Sequence, residues 1–194
     1  LRSSVVSHAK TLGYETTSAR AAYATLNVNL STADNSKTMP AGTAFTTSVD
    51  GTNYRFVTIA DITSSNTGNE VPFDSIKVYE GSYITTRYTV NTSNVDQKFT
   101  LSNANSDTST LIVKVQTSAS DTSTTTYTKA TDITQLSSNS TVYYLQETDS
   151  GLYQVYFGDG VISKSISDGN IVVLQYVVTN ITLANGADTF SSPS

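Results

Sequence analysis

The sequence predicts a mainly β protein, built of sandwich- or barrel-like modules with one short N-terminal helix. Three observations carry that expectation. Ser and Thr make up nearly a third of the 194 residues, and Thr is β-branched, suiting a pleated surface better than a helix. Short runs rich in Val, Ile, Tyr and Phe recur about every eight to twelve residues, the rhythm of a sandwich or barrel. Between these runs stand turns bearing Gly, Asp and Asn, which supply positive φ and local side-chain hydrogen bonds.

The helix comes first. Ser3 or Ser4 can cap it, Val5, Val6, Ala9 and Leu12 form its apolar stripe, and Gly13 can end it. At about ten residues it needs something to pack on. Strands come next. Leu26, Val28 and Leu30 alternate within Ala24–Leu30, Met39–Thr43 reads as a turn, and Ala44–Val49 and Tyr54–Ile59 flank Asp50-Gly-Thr-Asn53 as a hairpin. Further strands are expected at Ile76–Tyr79, Tyr83–Val90, Leu111–Gln116, Val142–Gln146, Leu152–Phe157 and Ile171–Val178. The polar stretch Thr117–Thr126 is the nearest approach to low complexity and reads as an exposed loop or edge connection.

Composition removes several function classes. The net charge is −5 and lysines stand singly at 10, 37, 77, 98, 114, 129 and 164. A nucleic-acid surface needs clustered cations to displace counterions, and a membrane-binding face needs a basic stripe, so neither partner is expected. No run approaches the roughly 20 apolar residues of a spanning helix. The chain holds no cysteine, which removes disulfides and thiol zinc sites and favours assembly in a reducing cytoplasm.

Candidate chemistry is thin. His8 is the one histidine, which precludes a multi-His metal site, and in the expected helix it reads as a packing or capping residue. Glu70, Glu80, Glu147, Asp149 and Asp159 could in principle pair for glycoside hydrolysis. Acidic side chains at turns and strand ends of an acidic chain are more simply solvated, and no Trp is present to stack a sugar. Gly158-Asp159-Gly160 imitates a phosphate loop, but the residues after it are strand-like rather than a helix N-terminus, so a hairpin turn explains it better. Asp159, Asp168 and Asn170 offer oxygens to Ca²⁺ without EF-hand spacing, and turn capping accounts for them more simply. No catalytic residue, cofactor or metal is therefore expected. Tyr143, Tyr144, Tyr153, Tyr156 and Tyr176 fall at alternating positions on neighbouring strands, most to fill the core and one or two to meet a partner.

The segment Tyr153-Gln-Val-Tyr-Phe-Gly-Asp-Gly-Val161, with Asp168-Gly-Asn-Ile171 and the long apolar strand to Thr179, resembles the C-terminal signature of the baseplate J-like family. That family includes the wedge proteins of contractile-tailed bacteriophages. Val5–Tyr14, Pro40–Thr58 and Asp107–Val115 are similar to other parts of the same branch, in the same order. The resemblance marks Phe157, Gly158, Asp159, Gly160, Asp168, Gly169 and Asn170 as a structural turn motif. Two positions depart from the pattern: Ser163 stands where Gly is common, and Asn180-Ile-Thr182 precedes Ala184-Asn-Gly186 where a Gly commonly comes after the strand.

The resemblance implies a structural subunit of a tail baseplate, assembled in the host cytoplasm and carried in the virion. Such a subunit forms the wedge or inner ring around the hub through copies of itself and other wedge proteins. Hub and sheath-initiating proteins are further partners, and the wedge transmits the rearrangement that triggers sheath contraction. The competing reading from polar loops and tyrosines is a carbohydrate-binding or adhesin-like module of a tail fibre or surface protein. For organisation, residues 1–20 are expected as helix and linker, 21–70 plus 131–190 as the family-like β-domain, and 71–130 as an inserted β-subdomain. Leu1 in place of an initiator Met predicts a piece of a longer polypeptide.

Overall fold

Thirteen strands and two 3-10 turns make up the regular structure of the described residues from 17 onward, and the strands form two main sheets and a small ribbon. The computed structural model describes Ser4, Val5, His8 and residues 17–192. The expected helix over Ser3–Gly13 lies outside the described residues except for Ser4, Val5 and His8, which are helical and exposed.

The first sheet has the order β1 (Tyr23–Ser31), β6 (Glu70–Glu80), β4 (Thr52–Val57), β3 (Ala44–Val49), antiparallel throughout. In β1 the inward positions Ala24, Leu26 and Val28 pack on the core, whereas Leu30 lies outside it, 43% exposed. Between Leu26 and Val28 the register slips, because β6 carries an extra residue: Ser75 sits at φ +54 and its N–H donates to Asn27 Oδ1 at 2.7 Å. The β3–β4 hairpin closes on two residues, Asp50 (φ +49) and Gly51 (φ +77). Positive φ at both central positions is what a turn matching strand twist requires. The ribbon pairs β2 (Ser36–Met39) with β5 (Ile62–Ser65), and the Ser64 hydroxyl donates to the Pro72 carbonyl, tying ribbon to sheet. Met39, Phe45, Phe56, Val71, Phe73, Ile76 and Val78 form this core.

The second sheet runs β7 (Ser82–Thr89), β13 (Ile171–Val178), β9 (Ser106–Gln116), β10 (Thr124–Lys129), β11 (Val142–Glu147), β12 (Tyr153–Phe157), β8 (Phe99–Thr100). The central strand β13 is a nearly unbroken apolar run, buried at Val172, Val173, Leu174, Tyr176 and Val177. Such a run belongs where both faces are covered. One pair, β10 with β11, is parallel, and the crossover through the 3-10 turn Ile133–Gln135 makes that direction possible. Curvature brings the two edges together: the Tyr88 hydroxyl on β7 donates to the Thr100 carbonyl on β8 at 2.6 Å, and the Tyr88 and Phe99 rings lie 5.6 Å apart. The fold is thus mainly β, a half-barrel sheet beside a nearly closed barrel-like sheet.

Strand pairing divides the chain at Gly81. β6 pairs with β1 and β4, whereas β7 and β9 pair with β13. The expected loop or edge connection over Thr117–Thr126 is shorter than that, because Thr124–Thr126, though exposed, begin β10. That strand buries only Tyr127, so its residues carry no visible alternation of apolar and polar. After β13 the chain returns to the first sheet, where Ala184, Ala187 and Phe190 join the core and Ser191 pairs with Thr46.

Candidate functional site

One rim of the second sheet collects the loops that the turn motif occupies. Antiparallel pairing places the end of β7, the end of β9 and the start of β13 together, through Thr89↔Ile171 and Gln116↔Ile171. The 90–98 loop, the 117–123 turn and the 158–170 loop therefore share one end of the barrel.

Each motif residue has a structural task there. Phe157 closes the core end, its ring perpendicular to Tyr127 at 5.2 Å and edge-on to Phe99 at 5.8 Å. Gly158 is glycine because a Cβ would stand 2.0 Å from the Ser163 hydroxyl oxygen and 2.8 Å from its carbonyl oxygen. Asp159 Oδ1 accepts from Val161 N–H at 2.9 Å, and this bond holds the carboxyl below its ordinary value against the opposing effect of burial. Gly160 donates its N–H to the Ser163 carbonyl at 2.9 Å.

The second turn ties loop to loop. Asp168 Oδ1 accepts from Thr92 N–H at 2.9 Å and from the Thr92 hydroxyl at 3.3 Å. Gly169 N–H donates to the Val90 carbonyl, and Val90 N–H donates to the Asn170 carbonyl. Asn170 works in two directions, accepting from Ser167 N–H and donating through Nδ2 to the Thr117 carbonyl, both at 2.8 Å. Local side-chain bonds of this kind are why Asp and Asn favour turns. Here they also reach between loops distant in sequence. Ser163, the departure from the family pattern, is fully buried, and its hydroxyl lies 3.3 Å from that of Tyr144.

Against this rim lies an open hollow of about 240 Å³, lined by Val90, Thr92, Val95, Gln97, Phe157 and Ile166 among others. Val95 is 93% exposed, and Val161 and Ile162 on the neighbouring loop are 74% and 52% exposed. Large aliphatic tips held out by hydrogen-bonded loops suit contact with another surface. Sequence reasoning passed over Val95, although an isolated apolar residue within Asn91-Thr-Ser-Asn-Val-Asp-Gln-Lys98 was its signal.

The other candidates disperse. Glu147 ends β11 and Asp149 stands in the turn after it, at the far end of the barrel from Asp159, while Glu80 is buried where the two sheets meet. Among the described residues no three His, Asp or Glu side chains gather as a metal site. No helix of the described residues is long and apolar enough to cross a membrane. The tyrosines split by strand face. Tyr143, Tyr153 and Tyr176 are core residues, whereas Tyr144 and Tyr156 pair across strands on the other face, stacked at 5.2 Å. A second aromatic group lies on the first sheet, where Lys77 Nζ stands 3.9 Å from the Tyr23 ring centroid and 5.2 Å from that of Tyr79.

Residues 85–180, nearly the whole second sheet, match the family model for the third domain of the bacteriophage baseplate wedge protein gp6. The chain is also 29% identical, over 214 residues, to the baseplate wedge protein gp6 of Enterobacteria phage T4. That alignment covers 98% of this chain and 31% of the relative, so the chain spans about a third of the relative's length.

Proposed function

The chain belongs to the baseplate wedge family of T4-like phages, and on that premise we propose that it is a load-transmitting part of the wedge. In this reading it sits in the virion's tail baseplate after assembly in the host cytoplasm, and joins copies of itself and other wedge proteins in the ring around the hub. Hub and sheath-initiating proteins are the further neighbours, and the ring passes on the rearrangement that triggers sheath contraction. The observation that carries the reading is the match of residues 85–180 to the third gp6 domain. Residues 82–180 act as one module, and 21–80 with the returning segment 181–192 as the other.

The geometry supports mechanical work over chemistry. Side-chain and main-chain bonds join the rim loops across 53 to 80 residues of sequence, which favours a rigid surface over a moving lid. The turn motif serves that rigidity and contacts no substrate in this reading. Electron microscopy of source particles decorated with an antibody against residues 82–180 tests the proposal. Label at the distal plate of the tail, in intact or disrupted particles, is the expected result. Label on fibres, or none on accessible disrupted baseplates, would overturn it and favour the glycan-binding alternative.

A further inference from the structure

Glu80 is the last residue of β6 and is completely buried. Its carboxyl group accepts three hydrogen bonds from uncharged donors just beyond β13. The Thr179 hydroxyl reaches Oε2 at 2.6 Å, the Asn180 N–H reaches Oε2 at 2.9 Å, and Asn180 Nδ2 reaches Oε1 at 2.7 Å. Burying such a group is costly unless its lone pairs are satisfied, so these two residues are held firmly. The Thr179 oxygen also accepts from the Ile181 N–H at 2.8 Å.

Ile181 stands at φ +66 and is 44% exposed. A β-branched side chain in the left-handed region crowds its own backbone, and its partial exposure leaves modest packing to compensate. Strain of this kind persists only when the surroundings impose it. Here the clasp imposes it. Beyond Ile181 the chain runs as a strap: Ala184 is buried in the first core, the Phe190 ring meets Phe56 edge-on at 5.1 Å, and Ser191 exchanges two backbone bonds with Thr46 on the edge strand β3 at 2.8 and 2.9 Å.

We propose that residues 181–191 form a releasable strap, closed over the first sheet by the Glu80–Thr179–Asn180 clasp and biased toward opening by the backbone of Ile181. Opening uncovers the β3 edge and the ring of Phe56, giving the first sheet a free edge for strand addition that the closed form lacks. The device stands on this geometry alone, whatever assembly the chain joins.

Amide hydrogen exchange on the full chain tests it, with Thr46 and Ser191 reporting the strap and Val113 and Leu174 reporting the second core. Glu80→Gln turns one acceptor into a donor facing Asn180 Nδ2, and exchange at Thr46 and Ser191 is expected to quicken about tenfold while Val113 and Leu174 stay unchanged. Ile181→Asn accepts the left-handed conformation, and exchange at the same two amides is expected to slow several-fold, by about three to ten times. Equal quickening of all four amides in Glu80→Gln would show a general loss of stability and overturn the clasp. Unchanged or faster strap exchange in Ile181→Asn would remove the bias toward opening, and that test survives even if Glu80→Gln fails to fold.

Discussion

Gly81 offers the sharpest test of how the two sheets are joined. It lies at φ +125 between β6 and β7, and its N–H donates to the Arg55 carbonyl at 2.8 Å. A Cβ there would stand 2.1 Å from the Val178 carbonyl oxygen, 2.9 Å from its carbon and 3.0 Å from Val177 Cγ1. Carbon–oxygen contacts settle near about 3.3 Å, so β7 and β13 would have to separate locally by about 1 Å. The backbone conformation itself costs a non-glycine residue about 1–3 kcal/mol. Separation disturbs the Ser82↔Val178 pairing, and each buried bond weakened adds about 1–3 kcal/mol. Gly81→Ala should therefore lose about 3–5 kcal/mol, a large share of the roughly 5–15 kcal/mol that holds an ordinary domain together. In urea, at a slope of about 2 kcal/mol per molar, the unfolding midpoint should fall by about 2 M. Gly51→Ala is the control. That glycine also has positive φ, but nothing lies within 4 Å of its Cβ position, so only the conformational cost of about 1–2 kcal/mol remains. Equal midpoint shifts for the two variants would refute the close approach of β13 to the joint.

Three further outcomes are expected. Gly158→Ala should destabilise by about 2–3 kcal/mol through collision with Ser163, and adding Ser163→Gly should restore part of the loss by removing the hydroxyl; strictly additive effects in thermal denaturation would contradict the contact. Asp168→Ala removes the acceptor for Thr92 N–H, so the 90–98 loop should exchange faster at a cost of about 1 kcal/mol, with β13 exchange unaltered. Burial pushes the Tyr143 hydroxyl up from 10.0 to about 12. Between those values the unfolded chain has shed a proton that the folded chain keeps, so stability is whole below pH 10 and about 2–3 kcal/mol is lost as pH rises to 12. Burial moves Tyr83, Tyr88, Tyr127 and Tyr156 in the same direction. Denaturation midpoints flat across that window, or all tyrosine absorbance titrating as one class near pH 10, would refute it.

Much of the fold was legible in short windows. The hairpin at Asp50-Gly-Thr-Asn53 followed from turn chemistry, although the structure closes it on Asp50 and Gly51, both at positive φ, and gives Thr52 and Asn53 to the strand. β7, β11, β12 and β13 were visible because apolar and aromatic β-formers mark them. β2, β5, β8 and β10 were not. Ser36–Met39, Ile62–Ser65, Phe99–Thr100 and Thr124–Lys129 are short or polar, and they become strands only because a neighbouring strand supplies hydrogen bonds. The motif residues 157–160 and 168–170 could be read as turns, but not as the ties that reach Val90, Thr92 and Thr117.

By itself the sequence determined the β class, the principal strands and the positions of tight turns, because steric preference and period-two burial act over a few residues. The family words were legible for the same reason, being contiguous. Tertiary structure alone decided which strands pair, the parting of the sheets at Gly81, the burial of Glu80 against Thr179 and Asn180, and the return of 181–191 to the first core. The clasp on Glu80 joins residues about a hundred positions apart. No local pattern encodes such contacts, because their energy exists only once both distant partners have been brought together and the loop between them closed.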